Sequence, residues 1–149
     1  MTGRLEGKVS IITGGGGAMP GAQAVLFASE GSSVCVTDVN LENANAVVER
    51  IKANGGKALS HQLDVRDQDE WDTLVQVAEK EFGPVDILCN NAGANFRVSF
   101  EEQSLEMWNQ IIEIGLTGTF LGIKAVVPSM RKAGGGVILN MGSLASIRP

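Results

Sequence analysis

No tyrosine occurs among the 149 residues, and there are only one histidine, two cysteines and four prolines. Each scarcity excludes something. With so few Cys and His residues, no Cys/His/carboxylate cluster has metal-ligand spacing, so no metal site is expected. Cys35 and Cys89 both fall inside apolar runs that read as strands, which favours two buried thiols over a disulfide. Basic residues are outnumbered, 12 Lys and Arg against 17 Asp and Glu, for a net charge of −5. A nucleic-acid partner, which needs a basic face, is therefore not expected. No apolar run approaches the ~20 residues a membrane helix needs, and the N-terminal MTGRLEGKVS lacks a signal-peptide core. The expectation is a soluble cytoplasmic protein with no membrane partner. Charged residues are only 19% while hydrophobic ones reach 44%, which excludes a disordered chain.

Glycine is what the chain has in quantity, 19 residues. They follow no G-x-y period, so they signal tight backbone turns rather than collagen. The length suits one domain spanning residues 1–149. Short β-branched runs alternate with helical periods. Strands are expected at 8–13, 34–38, 58–63, 85–89 and 137–141, and helices at 21–30, 41–53 and after Asp67. In the first of these helices Ala22, Val25, Leu26 and Ser29 recur at helical spacing. Asp67 can cap its helix, with Glu70 as reciprocal partner, and Trp71, Leu74, Ala78 and Phe82 form the apolar stripe. A long helix over 105–130 should turn Leu105, Trp108, Ile111, Ile112, Leu116 and Ile123 inward. This βα alternation implies an α/β, Rossmann-like, doubly wound parallel sheet of about five strands.

In such a sheet, ligands bind beyond the carboxyl ends of the strands. The loop Thr13-Gly14-Gly15-Gly16-Gly17-Ala18-Met19-Pro20-Gly21 lies there. Four consecutive glycines let a pyrophosphate approach backbone N–H groups at a helix N-terminus, although a turn that only needs positive φ would look the same. Asp38 ends the second strand. Its carboxylate can accept from both ribose hydroxyls and would repel a 2′-phosphate, or it can simply cap the next helix. Neither Gly17 nor Val39 offers the positive charge that NADP would need. NAD is preferred over NADP on this reading.

Taken in order, Thr13-Gly14 with its glycine loop, Asp38, Leu63-Asp64-Val65, Asn90-Asn91-Ala92-Gly93, the helix over 108–128 and Asn140-Met141-Gly142-Ser143 resemble the short-chain dehydrogenases/reductases along the whole chain. The resemblance implies an NAD-dependent oxidoreductase that interconverts a secondary alcohol and a ketone by hydride transfer. By that resemblance the cofactor-binding residues are Gly14, Gly16, Gly17, Ala18, Met19, Asp38, Val39, Asp64, Val65, Asn91, Ala92 and Gly93. Asp64 and Val65 would bracket the adenine, and Ser143 would be the catalytic serine that polarises the substrate carbonyl. The family's long helix often pairs subunits, which places an oligomer interface at 108–127.

The same comparison exposes departures. Ala18 and Pro20 stand where the family's T-G-x-x-x-G-x-G pattern has glycine, and Gly115 stands where N-L-x-G has asparagine. Gly115 reads as a helix position where close packing or a kink is tolerated. The family's Tyr-x-x-x-Lys follows the serine, whereas this chain reaches Pro149 six residues after Ser143 (149 − 143). The expectation is a truncated nucleotide-binding domain, lacking the family's C-terminal strands and helices and inactive by itself. Its fifth strand would be an uncovered edge at Val137, Ile138 and Leu139, favouring a homo-oligomer. The alternative is a non-catalytic nucleotide-binding or oligomer-assembly protein. His61 reads as a surface or edge residue, and Trp71 and Trp108 as packing residues.

Overall fold

The computed structural model describes residues 3–143. Its strands are β1 (Val9–Ile12), β2 (Ser33–Asp38), β3 (Lys57–Gln62), β4 (Ile87–Asn90) and β5 (Val137–Asn140). All pair in parallel, in the order β3-β2-β1-β4-β5. The chain first winds outward from β1 to β3, then crosses back to continue on the other side. That reversal opens a crevice between the carboxyl ends of β1 and β4.

The three central strands β1, β2 and β4 are buried on both faces, so their alternate residues enter different cores. Val9 and Ile11 of β1, Cys35 of β2 and Leu88 of β4 face α3 (Gln68–Phe82) and α5 (Gly118–Lys132), together with Trp71, Leu74, Ala78 and Val126. Ile12, Val34, Val36, Ile87 and Cys89 face α1 (Ala18–Ser29) and α2 (Leu41–Ala53), where Ala24, Ala28, Val47, Val48 and Ile51 meet them. The α/β sheet expected from the sequence is therefore present. Its ends shift by one or two residues, the usual uncertainty at frayed termini.

Several local expectations are corrected. Helix α1 begins at Ala18 rather than 21, with Gly17 at its N-cap. Pro20 fits because it occupies the first turn, where no i−4 partner exists for its missing N–H. The inward residues of α1 are Pro20, Gly21, Ala24 and Ala28, while Leu26 is exposed. Asp67 does cap α3, Oδ1 accepting from the Asp69 and Glu70 N–H groups. Glu70, however, does not reciprocate: its carboxylate accepts instead from the Asp64 N–H.

The long helix is continuous from Leu105 to Lys132 but has a π turn at Glu113–Thr117 between α4 (Leu105–Ile112) and α5. Its extra residue rotates the helix, so the buried face of α5 is Gly118, Gly122, Val126, Ser129 and Met130. Leu105, Trp108 and Leu116 point outward, and Trp108 is not a core residue; Trp71 is. By length and composition this 28-residue stretch could cross a membrane, which overturns the expectation that no apolar run is long enough. One side of it packs on β4 and α3, and the other is exposed.

Candidate functional site

The carboxyl ends of β1 and β4 are joined through one hydroxyl. Thr13, at the end of β1, is buried, and its Oγ1 accepts from the backbone N–H groups of Asn91 and Ala92, both at 3.0 Å. The same hydroxyl faces the Cys89 carbonyl at 3.4 Å. Asn91 Nδ2 donates to Gln23 Oε1 at 2.9 Å, tying the segment to α1. Gly14 follows Thr13 with φ of +60°, and a Cβ there would press on Ala92 Cα at 3.3 Å. Only glycine combines that backbone conformation with so close a crossing.

The glycine turn closes onto β2. Gly15 N–H donates to the Thr37 carbonyl at 2.8 Å, and Gly16 N–H donates to Asp38 Oδ2 at 3.0 Å. Asp38 Oδ1 also accepts from the Asn40 N–H, and Asn40 is the N-cap of α2. The carboxylate thus braces the glycine turn and the α2 entry together. At α1, Gly21 N–H already donates to the Gly17 carbonyl at 2.8 Å. Pro20 has no N–H, so Ala18 and Met19 supply the first-turn donors.

Beyond β3, Asp64 Oδ1 accepts from the Arg66 backbone N–H at 3.0 Å and from its Nε at 2.9 Å, while Oδ2 accepts from Nη2 at 2.6 Å. These hydrogen bonds from Arg66 hold the Asp64 carboxyl below its ordinary pKa. Val65 is wedged between α3 and α5, and Trp71 Nε1 of α3 donates to its carbonyl at 2.9 Å. A Cβ on Gly118 would meet its side chain at 2.7 Å.

Between these walls lies a cavity of about 650 Å³. Ten of the expected residues line it: Gly14, Gly16, Gly17, Asp38, Val39, Asp64, Val65, Asn91, Ala92 and Gly93. Ala18 and Met19 stand beside it in the first turn of α1 without lining it. Ser143 is exposed three residues past β5 and is likewise outside the lining. Arg66, Asn43, Gln110 and Ile114 also line the cavity and were missed. Arg66 adjoins Asp64-Val65 and could have been suspected, but Gln110 and Ile114 arrive from a helix distant in sequence, by tertiary packing alone.

Both cysteines are free and buried. Burial pushes the Cys35 thiol up to about 12 and Cys89 up to about 11, so neither is a ready thiolate. His61 sits on the edge strand β3, half-buried, its pKa lowered by burial. Among the described residues, no group of three or more His, Cys, Asp or Glu is placed to hold a metal ion.

A protein-family model described as short chain dehydrogenase matches residues 8–149. Over 149 residues the chain is 44% identical to 2,5-dichloro-2,5-cyclohexadiene-1,4-diol dehydrogenase LinX of Sphingobium indicum, covering 100% of this chain and 60% of that protein. A solved structure of 7α-hydroxysteroid dehydrogenase complexed with NADH and 7-oxo glycochenodeoxycholic acid matches with a TM-score of 0.91 at 37% identity. That match covers 98% of this chain and 57% of that one. A short-chain dehydrogenase/reductase from Burkholderia xenovorans matches equally, at TM-score 0.91 and 37% identity, over 99% of this chain and 60% of that one. The chain spans about 60% of the length of such relatives. With the family model matching nearly every residue and the fold of solved family members shared, this chain belongs to the short-chain dehydrogenase/reductase family.

Proposed function

We propose that the chain binds NAD, in preference to NADP, as the nucleotide-binding part of an oxidoreductase interconverting a secondary alcohol and a ketone. The observation that carries this is the single cavity shared by the glycine turn, Asp38, Asp64-Val65 and Asn91-Ala92-Gly93. The residues present fit the dinucleotide. A Cβ on Gly16 would overlap Asn43 Cβ, so the turn can lie against α2 only as glycine. Asp38 offers a carboxylate to ribose hydroxyls and opposes a 2′-phosphate, Ala18 and Met19 offer N–H groups to the pyrophosphate, and Val65 with Asp64 would hold the adenine. NAD supplies, when bound, the acceptor for a hydride. Ser143 would donate a hydrogen bond to the substrate oxygen. The relatives' names specify a cyclohexadiene diol and a hydroxysteroid, which supports a hydroxyl carried on a ring.

The 149 residues contain no tyrosine, the family's proton-transfer group. Loss of a positioned general acid or base costs about 10²–10⁴ in rate, and we propose that this chain alone gives no useful turnover. One observation favours the second reading, a nucleotide-binding or assembly protein without chemistry. At Gly115, where the family pattern has asparagine, a Cβ would meet nothing within 4 Å. Packing does not exclude the asparagine, yet it is missing. The outer helix face, with Leu105, Trp108, Leu116 and Phe120 exposed, further supports self-association.

Calorimetric titration tests the cofactor reading. NAD should bind more tightly than NADP, and Asp38→Asn should narrow the gap by removing the charge that opposes the 2′-phosphate. Failure of NAD to bind, or a preference for NADP, overturns it. Reduction of NAD by this chain with a cyclic secondary alcohol at an ordinary dehydrogenase rate overturns the proposed inactivity.

A further inference from the structure

We infer that Arg66 sets base selectivity at the adenine end of the cavity, by fixing the Asp64 carboxylate in the orientation that accepts from an exocyclic amino group. This rests on the reading of the cavity as a dinucleotide site. Arg66 lines that cavity beside Leu63, Asp64 and Val65. Its guanidinium engages Asp64 as a fork, Nε to Oδ1 at 2.9 Å and Nη2 to Oδ2 at 2.6 Å, with its own backbone N–H adding 3.0 Å to Oδ1. Nη1 lies 3.6 Å from Glu113 Oε2, at the start of the π turn. Behind them, Glu70 Oε2 accepts from the Asp64 N–H at 2.6 Å. The Asp64 backbone is thus held from α3 and its side chain from Arg66, which is itself drawn toward the long helix.

A carboxylate offers about four lone-pair sites, so the fork leaves acceptor capacity for one more donor. A fixed acceptor accepts an amino group and sets lone pair against lone pair when a base carries an oxo group in the same place. Left unheld, the carboxylate could rotate away from the oxo group and the distinction would fade. A positive charge at residue 66 without the fork would not restore it, because a lysine ammonium is a point charge on a flexible stem.

The test titrates the full chain, with Arg66→Lys and Arg66→Ala variants, against NAD and nicotinamide hypoxanthine dinucleotide, whose base carries oxo in place of amino. The unsubstituted chain should prefer NAD by about tenfold or more, the scale of a hydrogen bond to a charged group. Arg66→Ala should collapse that ratio. Arg66→Lys should weaken NAD binding less yet collapse the ratio as far. Equal weakening of both ligands with the ratio intact overturns the inference, since loss of a nearby charge alone would do that. Equal affinity of the unsubstituted chain for both ligands overturns it as well, while leaving the nucleotide site standing. If neither ligand binds, the nucleotide reading falls and the inference with it. Carboxyl ¹³C NMR adds a readout that needs no ligand: the Asp64 resonance should titrate at higher pH in Arg66→Ala, and an unmoved titration counts against the fork.

Discussion

Thr13 shows how one side chain can hold a strand-end crevice in shape. Its hydroxyl receives two backbone N–H groups, from Asn91 and Ala92, across the β1–β4 boundary. Threonine to valine keeps the volume but removes both acceptors, leaving two donors in a part-buried place without partners. The expected loss is about 2–4 kcal/mol from two such groups, read as a lower urea midpoint at unchanged slope. Thr13→Ser keeps the oxygen and should recover most of it. The sequence pointed to Thr13-Gly14 and Asn91-Ala92-Gly93 separately, through the resemblance. Their joining could not be read there, because the contact spans 78 positions and depends on β1 lying beside β4.

Among the elements, the long helix departs furthest from its sequence pattern. Its apolar residues follow helical spacing throughout, yet the π turn at Glu113–Thr117 changes which of them face the sheet. Glycines mark the consequence in opposite ways. At Gly122 a Cβ would lie 2.7 Å from the Trp71 ring, whereas at Gly115 it would meet nothing within 4 Å. Gly115→Ala should therefore stabilise by about 0.5–1 kcal/mol through helix propensity. Gly122→Ala should destabilise by about 1–3 kcal/mol by overpacking a fully buried tryptophan. Thermal melts of the two variants should move in opposite directions. Periodicity found the helix, since its 3.6 period is a local property. It could not find the inserted residue of the π turn, which costs no apolar position in the pattern. Of the two readings of Gly115, close packing or a kink, close packing fails: the close approaches of α5 are at Gly118 and Gly122, whereas Gly115 lies inside the π turn.

At the level of the whole molecule, burial is uneven. Five parallel strands are well covered around β1, but β5 closes the sheet with a side that no other strand pairs among the described residues. Val137 is 57% exposed and Leu139 46%, where a covered strand would bury such residues. On the long helix, Leu105, Trp108, Leu116 and Phe120 recur at steps compatible with one exposed face, Trp108 at 53% and Phe120 at 61%. Clustered apolar surface on this helix face favours association, and it can be tested with β5 as the comparison. If copies meet through the helix, Trp108→Glu should weaken self-association by at least about tenfold, the effect of losing one large buried apolar contact, while Leu139→Lys leaves it intact. Both substitutions fall on exposed positions, so the far-ultraviolet circular dichroism of each should match that of the unsubstituted chain. Sedimentation equilibrium across a concentration series reads the result directly. A monomer at the highest concentration, with no variant changing it, would show that this helix face is not an interface between copies of this chain.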